Sequence, residues 1–232
     1  MAAVEQPRYS DAIEDYAKAI YSLSRREHRA VSTNALAARL GVTAASASAM
    51  AKKLADRGLA VHVPYKGVEL TAEGERVALE VMRHHRLLEL FLVEQLGVPW
   101  DRVHEEAEAL EHVLSEDLEG RIAAKLGHPT HDPHGDPIPT PELTIEEGQT
   151  LSLDALPVGA RGRFTRVSDS DATMLRWLEE QGIELGAALT VVDRQPFDGP
   201  LSVRIGNAER VLGGRVARAM RVELDQPGTP PS

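Results

Sequence analysis

The spacing of apolar positions divides this chain into a helical front and a strand-rich rear. In residues 11–24, Ile13, Tyr16, Ala17, Ile20, Tyr21 and Leu23 recur at helical intervals and predict a first helix, with Asp15 beside its apolar face. Ser32-Thr33-Asn34 opens a short second helix, marked by Ala35, Leu36, Ala38 and Leu40 and closed by Gly41. A third helix is expected from Ala44 to Arg57. Ala60–Val63 and Gly67–Leu70 alternate around Pro64-Tyr65-Lys66, which reads as a β-hairpin. Thr71 to Gly74 caps a long helix through Leu92, and further helices are expected over 103–114 and from Asp117 to Leu126. Residues 127–141 are too rich in proline to be helical, so their three histidines cannot share a face and a rigid covering loop is expected. From Leu151 the period changes to two. Strands are expected at 162–167, 189–192, 201–205, 210–212 and 220–222, with one helix from Thr173 to Gln181 among them. Five short strands so close together suggest a small barrel.

Helix, glycine-containing turn, helix and hairpin in that order make a winged helix-turn-helix. The third helix supports this chemically. Thr43, Ser46 and Ser48 at its front are small enough to approach the floor of a major groove, and Lys52 and Lys53 lie further along, where phosphates would be. Thr33, at the start of the second helix, and Lys66, at the tip of the wing, complete the expected DNA-facing set.

Composition narrows the alternatives. Only 4% of residues are aromatic, so cores must be built from Leu, Val, Ile and Ala, which favours helices. There is no cysteine, which excludes disulfides, zinc ribbons and a cysteine nucleophile. No apolar run approaches the roughly 18 residues of a membrane span, and the first residues lack a signal peptide's apolar core, so a cytoplasmic protein with no membrane partner is expected. The net charge of −10 looks wrong for a DNA-binding protein, but it is unevenly placed. Residues 1–83 hold 12 basic against 10 acidic side chains, whereas residues 84–232 hold 14 against 26. A near-neutral front and an acidic rear are compatible with DNA contact at one end and cation collection at the other.

The cation chemistry concentrates in Val103–Leu114. Wound as a helix, His104, Glu108, Glu111 and His112 fall within roughly 100° of arc, beside an apolar strip of Val103, Ala107, Leu110 and Leu114. Two imidazoles and two carboxylates on one strip can converge on one divalent ion or two neighbouring ones. A glutamate-rich surface helix with incidental histidines is the competing reading. His85 and Glu89, four apart on the preceding helix, also face one way. His84 is one step off that face.

A winged helix-turn-helix followed by HR-x-x-E (His85 to Glu89), H-x-x-x-E-x-x-E-H (His104 to His112), GDPIP and a small β domain resembles the diphtheria toxin repressor family of metal-dependent transcriptional regulators. The resemblance runs from about Ala12 to Glu223 and implies an overall class that is mainly α with a β C-terminal domain. In that class a winged helix-turn-helix over 1–74 precedes a helical metal-binding and dimerisation domain over 75–142, a linker over 143–150, and an SH3-like small β barrel over 151–226. It implies a homodimer on a double-stranded DNA operator, repressing metal-uptake genes, with two metal sites per subunit. Carried over, the primary site falls on Asp15, Glu108, Glu111 and His112. The ancillary site falls on His85, Glu89 and His104, completed near Ser168 and Asp171. Iron-responsive members carry Met and Cys where this chain has Asp15 and Glu108. Two carboxylates there harden the site, which suits Mn²⁺, with an iron-responsive regulator as the alternative. Lys18 stands where small two-domain manganese regulators have a second carboxylate, which argues against their closely spaced pair of ions. A carboxylate–histidine metalloenzyme is disfavoured, because di-iron oxidases need Glu-x-x-His on two separate helices. A winged-helix protein governed by a small molecule, its histidines structural, is the remaining rival.

Overall fold

The computed structural model describes residues 9–27 and 29–225, which divide into two compact units. The first comprises residues up to Phe91 together with Glu106–Thr130 and Ile138–Ile145. Its chain begins with α1 (Asp11–Glu27), α2 (Thr33–Leu40) and α3 (Ala44–Asp56). Both short helices are capped, α2 by Ser32 as expected and α3 by Thr43, which was expected only to face DNA. Ser32 Oγ accepts from the Ala35 amide at 3.2 Å and Thr43 Oγ1 from the Ser46 amide at 3.1 Å, each satisfying an amide that the first helical turn leaves without a partner. Gly41 closes α2 at φ 65°, a left-handed conformation that gives the turn into α3 its sharpness.

The hairpin of β1 (Ala60–Val63) and β2 (Gly67–Leu70) has the expected bounds and pairs Ala60 with Leu70 and Val63 with Gly67. Val31 adds a bridge to Val68, and this is why position 67 must be glycine. Its φ is 129°, and a Cβ there would lie 2.0 Å from the Val31 carbonyl oxygen. Ile13, Ile20, Leu36, Leu54, Leu59 and Val68 form the core beneath helices and wing. α4 (Ala72–Leu96) follows, one turn longer than expected. A smaller core of Leu87, Leu88, Ala107, Ile122, Ala123 and Ile138 holds α4 against the segments that follow it.

The expected continuous helix over 103–114 is not what forms. α5 spans Val103–Leu110 and is followed by a single 3₁₀ turn at Glu111–Val113. The tighter winding departs from 100° per residue where the ligand types are densest. Of the expected apolar strip, Val103 and Ala107 are buried, but Leu110 is exposed. α6 (Glu116–Lys125) restarts on a new cap, Ser115.

The second unit comprises Leu92–Glu105, His131–Pro137 and residues from Glu146 onward. It holds β3 (Thr150–Ser152), β4 (Arg161–Val167), α7 (Ala172–Glu180), β5 (Ala188–Arg194), β6 (Leu201–Ile205), β7 (Ala208–Leu212), α8 (Gly214–Ala219) and β8 (Met220–Leu224). The strands make one antiparallel six-stranded sheet in the order β3-β8-β4-β5-β6-β7. β3 and α8 were not expected. β3 is only three residues long, too short for a period-two pattern, and Gly213-Gly214 masks the start of α8. The core is aliphatic around Phe164, as the low aromatic content requires. The proline-rich segment is non-helical, as expected. The Asp132 carboxylate accepts from the amides of His134 and Asp136 at 2.8 and 2.9 Å, and the buried His134 ring stacks on Trp100. Among the described residues, no helix is long and apolar enough to cross a membrane.

Candidate metal centre and DNA-facing surface

In the first unit, donor atoms of Asp15, Glu111 and His112 lie within 4.8 Å of one another. Asp15 comes from the middle of α1, and the other two come from the 3₁₀ turn after α5. The adjacent residues Glu111 and His112 thus both reach the locus that Asp15 lines. His112 Nε2 stands 3.1 Å from Asp15 Oδ1 and 3.4 Å from Glu111 Oε1. Its Nδ1 donates to Glu14 Oε2 at 2.6 Å. Hydrogen bonds to Asp15 and Glu14 raise the His112 pKa to about 10 against the opposing effect of burial, with the charges of Glu111 and Asp15 adding to the rise. One nitrogen anchored on a carboxylate and the other facing two more is how a metal-binding imidazole is oriented. Hard oxygen and imidazole donors fit a divalent first-row ion.

Glu111 is the hub. It is almost fully buried, and its two oxygens are shared between the Lys18 ammonium and His85 Nδ1, the latter at 2.5 Å. Lys18 therefore supplies a positive charge at the carboxylate where a second ion would otherwise be expected. His85 Nε2 reaches Glu89 Oε1 at 3.0 Å, so the expected His85–Glu89 pair is present and buried. Burial works to lower the His85 pKa, but the bonds to Glu111 and Glu89 outweigh it and the net shift is upward.

Two expectations, Glu108 and Asp171, are placed differently. Glu108 is exposed on α5 and is not among the converging donors, because the helix ends two residues later and Glu111 and His112 turn away from its face. His104 pairs within the second unit with Asp169, at 3.1 Å. Asp171, two residues on, caps α7 by accepting from the Met174 amide and binds Arg215 at 2.5 Å. The loose local spacing between β4 and α7 concealed which aspartate would face His104. Sequence reasoning also missed Glu14. Its signal was an acid beside Ile13 on the side of α1 that packs inward, where an unpaired carboxylate would be costly.

Of the expected DNA-facing residues, all but the half-buried Thr33 are solvent-exposed. Thr43, Ser46, Ser48, Lys52 and Lys53 are exposed along one side of α3, while Ala47, Ala51 and Leu54 are buried on the other. Thr33 and Lys66 line one cleft with Ser32, His62 and Tyr65. Tyr65, read in the sequence only as a turn residue, is fully exposed at the wing tip with φ 64° and lines the same cleft.

Comparison with known proteins places the chain in a family. Three family models match: the N-terminal DNA binding domain of iron dependent repressors over residues 8–68, their metal binding and dimerisation domain over 71–140, and the FeoA domain over 151–224. The chain is 32% identical over 225 residues to the iron-dependent repressor IdeR of Mycobacterium tuberculosis, covering 92% of this chain and 97% of that one. It is 30% identical over 226 residues to the diphtheria toxin repressor of Corynebacterium glutamicum, covering 92% and 96%. A solved manganese-dependent transcriptional repressor in complex with manganese is similar at 44% identity and a TM-score of 0.85, covering 90% of this chain and 98% of that one. Matched over nearly its whole length in sequence and in fold, the chain belongs to the diphtheria toxin repressor family, a family of metal-dependent DNA-binding repressors rather than enzymes.

Proposed function

We propose that this protein is a cytoplasmic, homodimeric repressor that binds double-stranded operators when loaded with Mn²⁺ and controls manganese-homeostasis genes. The observation that carries the metal assignment is a donor set of two hard carboxylates and one imidazole, Asp15, Glu111 and His112, with no sulfur among them. The 44% identity to a manganese-dependent repressor supports it. The iron-dependent relatives keep Fe²⁺ as the alternative.

Asp15 belongs to the helix that packs on α2 and α3, whereas Glu111 and His112 belong to the segment after α5. An ion held by all three cross-links the DNA-reading helices to the dimerisation segment and offsets the repulsion among their carboxylates. Affinity for DNA then follows the fraction of protein in the cross-linked arrangement. Glu14 orients His112, and Lys18 neutralises part of Glu111 whether or not an ion is bound. Glu108 is carried in the primary set by family resemblance alone. Of the ancillary residues of the resemblance, His85 with Glu89 forms a buried pair in the first unit, and His104 pairs with Asp169 in the second.

The test is a DNA-binding titration with Mn²⁺, anaerobic Fe²⁺, Zn²⁺ and chelator. Mn²⁺ should switch on specific over non-specific DNA binding most fully, although Zn²⁺, with the higher intrinsic affinity for such donors, half-saturates at a lower free concentration. Chelator-insensitive binding would return the protein to the class of winged-helix regulators governed by something else.

A further inference from the structure

A second cluster of ligand types lies in the first unit and uses none of the residues above. His84 Nε2 stands 3.1 Å from Glu119 Oε2 and 3.8 Å from Glu116 Oε1, and the three residues' donor atoms lie within 4.8 Å of one another. His84 is 7% exposed, and its Nε2 makes no hydrogen bond of acceptable geometry although it faces two carboxylates. Its other nitrogen, Nδ1, is 3.1 Å from the Glu111 carbonyl oxygen. A carbonyl only accepts, so Nδ1 carries the hydrogen, and in the neutral ring Nε2 carries the lone pair. Nε2 thus points between the two carboxylates, a place that a proton or a cation can fill. The remaining groups around the cluster are Glu80, whose pKa is raised by burial and then by the charge of Glu116, and Arg83, which binds the other oxygen of Glu119 at 2.7 Å. The Glu116 side chain is 65% exposed, which leaves an entry path from solvent.

We propose that His84, Glu116 and Glu119 form a further divalent-cation site, with Glu80 at its margin. Donor separations of 3.1 and 3.8 Å bracket the edge of a small coordination polyhedron with ligands about 2.0–2.2 Å from the ion. One imidazole and two carboxylates suit a first-row ion, and the affinity order for such donors puts Zn²⁺ and Co²⁺ ahead of Mn²⁺. The Nδ1 bond to the Glu111 backbone is the outer contact that fixes a metal-bound imidazole, and here it ends on the residue at the centre of the primary cluster. Occupancy of this site therefore holds the 3₁₀ turn that presents Glu111 and His112. The site itself does not depend on the manganese reading.

The experiment is metal counting on the full-length protein with Zn²⁺ and Co²⁺, paired with anomalous diffraction from Co²⁺-loaded crystals. Glu116→Gln alters an exposed side chain and leaves the fold undisturbed. His84→Asn keeps a donor near the Nδ1 position and removes Nε2. The expected result is an anomalous peak at His84 in the wild type, lost in both variants, with one ion fewer per chain and the peak beside Asp15 retained. Loss of the Asp15 peak alone would count against the primary-site reading and leave this one standing. No peak at His84, with equal counts in wild type and Glu116→Gln, overturns the proposal and makes His84 a protonated ion-pair partner of Glu119.

Discussion

At the scale of single residues, His112 governs the chemistry of the primary cluster. In the metal-free protein its pKa of about 10 keeps it protonated at neutral pH, bonded to Asp15 and Glu14. An ion must displace that proton from Nε2, so binding should release a proton, and apparent affinity should rise about tenfold per pH unit between pH 6 and 8. Calorimetry in two buffers of different protonation enthalpy measures this, and zero release would remove His112 from the ligand set. The same shift bears on stability. A folded-state pKa raised from 6.5 to about 10 contributes stability that is complete below pH 6.5 and lost as pH rises through 10. Metal-free wild type should therefore lose its stability advantage over His112→Gln across that window, as followed by denaturant melts. Glu14, which orients His112, is open to a sharper test. Glu14→Ala should lower metal affinity by about 10–100-fold, and Glu14→Gln, whose amide oxygen still accepts from Nδ1, should restore much of it. Equal loss in both would mean that the charge matters and the orientation does not. Asp15, Glu111 and His112 were legible in the sequence as ligand types. Glu14 and Asp169 were not, because which of two neighbouring acids faces inward is decided by packing rather than by spacing.

At the scale of elements, α3 is where sequence and structure agree most closely and also where one expectation changes meaning. Alternating burial along α3 leaves Ser46, Ser48, Lys52 and Lys53 exposed on one side, as its apolar positions dictate. Removing Lys53 should weaken binding to all DNA sequences alike and reduce the salt dependence by about one phosphate's worth, whereas Ser46→Ala should alter base preference at one position. Competition binding at several salt concentrations separates the two, and a sequence-dependent effect of Lys53→Ala would place that lysine at a base. Thr43 is different. Its hydroxyl already caps the helix and touches Ser46 Oγ at 2.9 Å. Thr43→Ala should cost about 1 kcal/mol of stability besides any change in DNA binding, and only Thr43→Ser keeps the cap. The break between α5 and the 3₁₀ turn was the element-scale error. A run rich in Glu and Ala carries high helix propensity throughout, and nothing local in Glu111-His112-Val113 announces the tighter winding. Tertiary contacts to Lys18, His85 and Glu14 hold it.

At the scale of the molecule, the order of parts was legible because each carries its own period, 3.6 in front and two behind, and because the acidic excess falls on the rear. Which ion completes the switch was legible only as a chemical preference, and it can be tested on the whole protein through DNA binding. Asp15→Met with Glu108→Cys removes two hard oxygens and adds two sulfur donors, leaving Glu111 and His112 in place. Mn²⁺ should lose more than Fe²⁺ or Co²⁺, since its affinity for sulfur is the weakest of the three. The readout is the ratio of metal concentrations giving half-maximal DNA binding, taken anaerobically for Fe²⁺. That ratio should move toward Fe²⁺ by ~10-fold or more, equivalent to ~1.4 kcal/mol of differential binding. Because Asp15 converges on the cluster while Glu108 is exposed on α5, Asp15→Met alone should produce most of the shift. A larger shift from Glu108→Cys alone would mean that the metal-loaded protein draws Glu108 inward. A double variant whose ratio equals that of the wild type would mean that neither position sets metal choice, and the manganese assignment would lose its chemical basis.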